Sequence, residues 1–348
     1  MIFSSRLNKS SVSILLLAVL CSLSFSQTPV NEWIWVEQTS PSLTLYNEHL
    51  VMVTVVSAQE YQKNPMRFIL GEHTQSIISE TILSPFEMNA YETSYTLWYN
   101  VLQKAIEAGY EFENPGQEGS YGRRGRAPSP DGEFQPVTTI TWRDAVVWCN
   151  ALSEQSGLSP CYTFNGAVIK NSADASAVDL VECNWKADGY RLPCEAEWEY
   201  AARKTRTGFQ RGDLPSGSVD DKGQTDSSIP DTLIAWTSAN TMKTQTAGTA
   251  GTAFTQNTMH GTGNANGIGI FDMSGNVLEY CWDWFADYIQ KDDKRERLTG
   301  PEFGFERVSR GGSWSPYASF ILSGDRYSFD PGETYNYMGF RVCRSILK

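Results

Sequence analysis

Phe271-Asp272-Met273-Ser274-Gly275-Asn276-Val277-Leu278-Glu279-Tyr280, followed by Arg310-Gly311-Gly312-Ser313-Trp314 and by Gly339-Phe340-Arg341, decides the reading of this chain. Asp272 and Glu279 are hard anionic oxygen donors, and Gly275 lets the backbone between them turn its carbonyls inward, as oxygen-ligated Ca2+ requires. The plainer alternative is a turn capped by Asp272, with Glu279 facing solvent. Beyond the Gly-Gly-Ser turn, Trp314, Tyr317, Phe320, Tyr327, Phe329, Tyr335 and Tyr337 crowd the segment before Gly339, with Asp325 and Arg326 among them. Rings interspersed with Ser and Gly supply contact area at low entropic cost, as binding surfaces need. The competing use of such rings is to fill the core of a strand-poor domain.

Working outward, three upstream segments read as capped helices. After Glu92-Thr93-Ser94, Leu97, Val101, Leu102 and Ile106 recur at helical spacing up to Gly109. Thr141 precedes Trp142-Arg143-Asp144 as a capping box, with Val147, Trp148, Ala151 and Leu152 as the inner face. Pro193 opens Cys194–Arg203, whose early glutamates and terminal arginine complement the helix dipole. Leu50–Val56 and Arg307–Arg310 read as strands. From about 204 to 269 there is little periodicity; an extended coil pinned by anchors such as Trp236 is the favoured reading over disorder.

Composition narrows the function classes. With 40 acidic against 28 basic residues the formal charge is −12, a surface that repels nucleic acid and anionic headgroups. Three histidines with no close pair argue against a His-based metal centre. No phosphate-binding glycine loop and no Ser/His/Asp arrangement is present. Arg6 and Lys9 ahead of the apolar run Val12–Leu20, with Ser24 and Ser26 before Gln27, read as a signal peptide over 1–26 and so as an exported protein (periplasmic, cell-surface or secreted) with no transmembrane segment after processing. A lipid anchor at Cys21 ranks lower, because Leu20 stands where a small residue belongs. Residues 27–49 form an N-terminal extension, and 50–346 a single domain undivided by linker or repeat. Six cysteines then remain, for which 15 pairings exist. Cys161 and Cys183 flank a hairpin-like excursion and are the expected disulfide, with buried thiols the alternative.

Phe86–Ser94, Pro136–Trp142, Arg191–Arg203 and the three opening segments, taken in that order, resemble the formylglycine-generating enzyme, or sulfatase-modifying factor, family from about Met52 to Cys343. The resemblance implies an α+β fold, a variant of the C-type lectin fold with low regular secondary structure. It implies calcium held by the side chains of Asp272 and Glu279 and the carbonyls of Gly275 and Val277; a second family calcium site would involve Asn240, but the segment after it is altered. It implies cleft positions at Glu92 and Ser313. The family's copper-binding cysteines would fall at Pro316 and Ile321, and its cleft tryptophan is replaced by Leu278. Cu(I) is soft and wants thiolates, so copper and formylglycine formation are not expected here. The chain is also similar to lectin-fold proteins diversified by retroelements, whose variable residues lie in this C-terminal stretch.

The expectation is therefore an exported ligand-binding protein, inactive as an oxidase, that takes a protein, peptide or glycan through Glu92, Ser313, Trp314, Tyr317, Phe320, Arg326 and Tyr327. An oxidase with non-cysteine metal ligands and a structural envelope protein are the competing readings.

Overall fold

The computed structural model describes residues 48–63, 66–220, 222–252, 260–288 and 299–346. The expected signal peptide and all but the end of the expected extension lie outside the described residues. The three expected helices form at Tyr95–Glu107, Trp142–Gln155 and Glu195–Arg203. Ser94 caps the first by accepting from the Leu97 N–H, and Thr141 and Asp144 close a reciprocal box on the second. Ile106, expected on an inner face, is exposed in the last turn of its helix.

Two four-stranded sheets organise the rest. In one, Met52–Val56, Phe86–Asn89, Cys343–Ser345 and Tyr190–Arg191 lie side by side, antiparallel throughout. In the other the order is Arg326–Phe329, Arg307–Arg310, Leu278–Trp284, Met338–Gly339, antiparallel except for the last pair. The mixture of helices with short sheets is the α+β architecture expected from the sequence. Between 204 and 269 the described chain holds one short 3-10 turn, Asp231–Leu233, and isolated bridges. Trp236 anchors it, buried, with its indole N–H donating to Thr249 Oγ1 over 3.1 Å.

The Gly339-Phe340-Arg341 motif ties the sheets to the helices. A Cβ at Gly339 would lie 2.6 Å from the Val137 carbonyl, so only glycine permits this approach. Phe340 stands edge-on to both Trp98 and Trp148, which stack 5.6 Å apart at the contact of the first two helices. Arg341 continues into the polar interior described below.

The expected Cys161–Cys183 disulfide is not formed. Tyr162–Phe164 pairs with Ala167–Val168 as well as with Glu182–Cys183, and the register sets Tyr162, not Cys161, opposite Cys183. Cys161 lies just outside that strand, and both thiols stand near buried Cys149 rather than bonded to each other. The Cys161 thiol donates instead to the Gly189 carbonyl, 3.3 Å away.

Candidate functional site

The 272–279 turn is built on left-handed backbone at Asp272, Gly275 and Asn276. At Gly275 a Cβ would sit 2.5 Å from the Trp236 carbonyl, which explains the glycine and locks the turn to the long coil. Glu92 lies beneath, fully buried: it accepts from Val277 N–H at 3.0 Å and from Asn276 Nδ2 at 2.6 Å. Glu279 is equally buried. Its carboxylate accepts from Arg341 at 2.5 and 2.7 Å and from the Trp198 indole at 2.7 Å. Asp272 accepts from Gly248 N–H through one oxygen, while the other, Oδ1, is buried with no hydrogen-bond partner.

Three carboxyl groups thus share one buried guanidinium. Burial pushes Asp272 up to about 6, with Glu279 adding to the rise. Burial, then the charges of Asp272 and Glu279, raises Glu92 well above the usual carboxylate range.

The turn leads directly into the aromatic stretch, since the Trp314 N–H donates to the Asn276 carbonyl at 3.0 Å. Ser313 is a buried turn-former, its hydroxyl accepting from Ser315 N–H at 3.1 Å. Trp314 is 5% exposed, with Tyr121 edge-on to it at 5.7 Å. Beyond them the rings form a ladder. Phe320 stacks on Tyr327, Tyr327 on Phe329, and Tyr335 on Tyr337, at centroid separations of 6.2, 6.5 and 5.0 Å, with Phe329 edge-on to Tyr335 at 5.3 Å. The inner rings rest against the core. Phe320 is 69% exposed and Tyr317 85%.

Arg326 does not join this face. In the strand Arg326–Phe329, Tyr327 and Phe329 take one side and Arg326 and Ser328 the other. Arg326 accordingly grips Glu195 with two bonds of 2.6 and 2.7 Å.

A model of the sulfatase-modifying factor enzyme 1-like domain matches residues 51–346. The chain belongs to that family. Chaperone protein LppX of Paenibacillus barcinonensis is 31% identical over 273 residues, covering 76% of this chain and 81% of LppX. Formylglycine-generating enzyme of Thermomonospora curvata is 33% identical over 169 residues, covering 46% of this chain and 50% of the enzyme. Among solved structures, Treponema denticola variable protein 1 superposes with a TM-score of 0.61 at 27% identity, covering 85% of this chain and 95% of that one. CarF superposes at 0.59 with 23% identity, covering 85% and 98%, a likeness of fold.

In this member of the sulfatase-modifying factor family, the two positions that resemble the copper cysteines are structural. Pro316 opens the 3-10 turn Pro316–Ala318, and Ile321 packs close under Gly312. Leu278 is buried in the core. Tyr121, placed by its hairpin beside Trp314, escaped the sequence reading because it lies nearly two hundred residues upstream.

A separate cavity of about 720 Å3 also escaped it, lined among others by Trp185, Trp284, Glu195, Asp283, Arg307 and Arg326. There the Arg307 guanidinium lies 3.6 Å from the Trp142 ring centre and 3.4 Å from that of Trp284, and desolvation lowers it to about 9. Burial raises Asp283 well above the carboxylate range. The Trp282-Asp283-Trp284 triplet was the available signal. Among the described residues no helix is long and apolar enough to cross a membrane.

Proposed function

We propose that this chain is an exported, non-oxidising member of the sulfatase-modifying factor family that binds a protein, peptide or glycan through its C-terminal aromatic surface. One observation carries the reading: a continuous ladder from Phe320 to Tyr337 whose inner rings are fixed against the core while Phe320, and Tyr317 beside it, stand open to solvent. Rigid aromatic groups presented in this way are what hot spots use. Relatives named as a chaperone protein and as a variable protein fit a binding role better than an oxidative one. Glu92 and Ser313 support the surface from below, and Arg326 fixes the strand that carries Tyr327.

The donor set at Pro316 and Ile321 contains no thiolate and does not fit Cu(I), so no oxidation is assigned to it. Calcium fits better. The orphan Asp272 oxygen, in a buried group with more carboxyls than guanidiniums, suits a hard cation. Asp272 would hold it with the carbonyls of Gly275 and Val277, while Glu279 stays on Arg341 and steadies the turn. Glycan and peptide arrays probed with the processed protein, with calcium and with chelator, test the proposal. Hits that disappear with Tyr317→Ala or Phe320→Ala support it; hits that survive both substitutions overturn it.

A further inference from the structure

We propose that the aromatic surface takes an acidic peptide segment, for which the hairpin around Tyr121 supplies a cationic rim. This rests on the ladder being the binding surface and names the class of its partner.

The hairpin is closed by Glu118 N–H to Arg123 O at 2.7 Å and Gly122 N–H to Glu118 O at 2.9 Å. Its tip is fixed to the ladder's neighbourhood. Tyr121 packs on Trp314, Asn336 Nδ2 donates to the Ser120 carbonyl at 3.1 Å, and Ser120 N–H donates to Thr244 Oγ1 at 2.8 Å. Asn336 stands between the last two rings, Tyr335 and Tyr337. The return arm carries Arg123, Arg124 and Arg126, and Lys243 adjoins Thr244; all four are exposed.

Two of them hold neutral oxygens: Arg123 donates to the Ala127 carbonyl at 3.2 Å and Arg124 to Asn114 Oδ1 at 3.5 Å. Among the described residues no carboxylate forms an ion pair with any of the four. The hairpin's own acid is withdrawn, because buried Glu118 accepts from Ser129 N–H and Oγ at 2.7 and 2.9 Å. Asp330 and Glu333 flank Phe329 and Tyr335 on the ladder, Glu333 beside the Tyr335 hydroxyl, and neither forms an ion pair with these four cations among the described residues.

On a chain of net charge −12, four exposed cations with no carboxylate partner among the described residues, on and next to the hairpin that packs on Trp314, are a local inversion of sign. Like charges held together repel one another, and a carboxylate partner relieves that repulsion while speeding encounter. A peptide fits better than an acidic glycan because of the neighbouring strand. Arg326–Phe329 is a sheet edge, paired among the described residues with Arg307–Arg310 alone. An extended peptide can add to such an edge through its backbone while alternate side chains meet Tyr327 and Phe329.

The test uses three labelled peptides of equal length and equal tyrosine content carrying Glu, Gln or Lys at the remaining positions, titrated with the processed protein by fluorescence anisotropy. The Glu peptide should bind roughly ten-fold or more tighter than the Lys peptide at low salt. The triple variant Arg123→Gln, Arg124→Gln, Arg126→Gln should lose that preference with its melting temperature unchanged. Phe320→Ala should weaken all three peptides. Equal affinity for the three peptides, no binding of the Glu peptide, or an intact preference in the triple variant overturns the acidic-partner proposal. Equal affinity with loss in Phe320→Ala would do so while leaving the aromatic surface standing. A Glu preference lost in the triple variant but indifferent to Phe320→Ala would instead overturn the ladder as the site.

Discussion

Replacing Arg341 by Met removes the one guanidinium that Glu279, Asp272 and Glu92 share. Arg341 donates to both Glu279 oxygens at 2.5 and 2.7 Å and to the carbonyls of Phe271 and Asn89 at 2.9 and 3.1 Å, with Arg341, Glu279 and Asn89 buried and Phe271 partly so. Removing one partner of a buried ion pair costs about 3 to 5 kcal/mol. Each buried carbonyl left unsatisfied adds about 1 to 3 kcal/mol. A loss of at least about 4 kcal/mol follows, a large part of the roughly 5 to 15 kcal/mol by which domains are stable.

Glu279→Gln should cost about 3 kcal/mol or more by stranding the arginine instead. The double variant Arg341→Met, Glu279→Leu leaves no buried charge behind and should cost much less than the two singles together. Urea unfolding, read from the midpoint at unchanged slope, measures all three. Single variants costing under about 1 kcal/mol, or strictly additive costs, would refute the assignment of Glu279 to Arg341 and return it to the metal.

Other outcomes follow from the same geometry. Tyr317→Ala and Phe320→Ala should each change stability by less than about 0.5 kcal/mol, as exposed substitutions do, in thermal or urea unfolding. Chelation should lower the melting temperature of the wild type and leave that of Asp272→Ala unaffected, because an ion bound only by the native state stabilises by mass action. His49, half-buried between Ser94 and the ring of Phe134, is held at about 4 by desolvation and by the charge of His260 beyond that ring, with Glu133 3.7 Å away. A histidine lowered on folding keeps its full stabilisation above the unfolded value near 6.5 and loses it as the pH falls toward 4. The shift is worth about 3 kcal/mol at most, so wild type should lose more stability than His49→Gln between pH 7 and pH 4 in urea titrations.

The residues that announce the fold are those with single, local reasons to be what they are. Thr141 and Asp144 close a box within one turn of chain, and Gly339 and Phe340 answer to one close approach and one tryptophan pair. The ladder was legible as a cluster of rings, and its exposure was not: the same seven aromatics could have been core, and the structure divides them between the two uses. Arg326 was misplaced for a reason internal to the sequence, since strand alternation around Tyr327 sends it to Glu195. Glu279 was ambiguous because a carboxylate suits calcium and arginine equally, and its partner stands 62 residues away. The disulfide expectation met a pairing the sequence did not reveal, in which Tyr162, not Cys161, stands opposite Cys183. The Trp185–Trp284 cavity draws its walls from eight separated stretches, of which only the Trp282-Asp283-Trp284 triplet stood out locally.

The most direct measurement is hydrogen–deuterium exchange of the processed protein with and without an array-selected ligand, followed peptide by peptide. The account predicts protection confined to the stretch from Ser313 to Tyr337 and to the hairpin around Tyr121. Protection at 179–185 and 282–288 with none along the ladder would contradict it and place the binding site in the tryptophan-lined cavity.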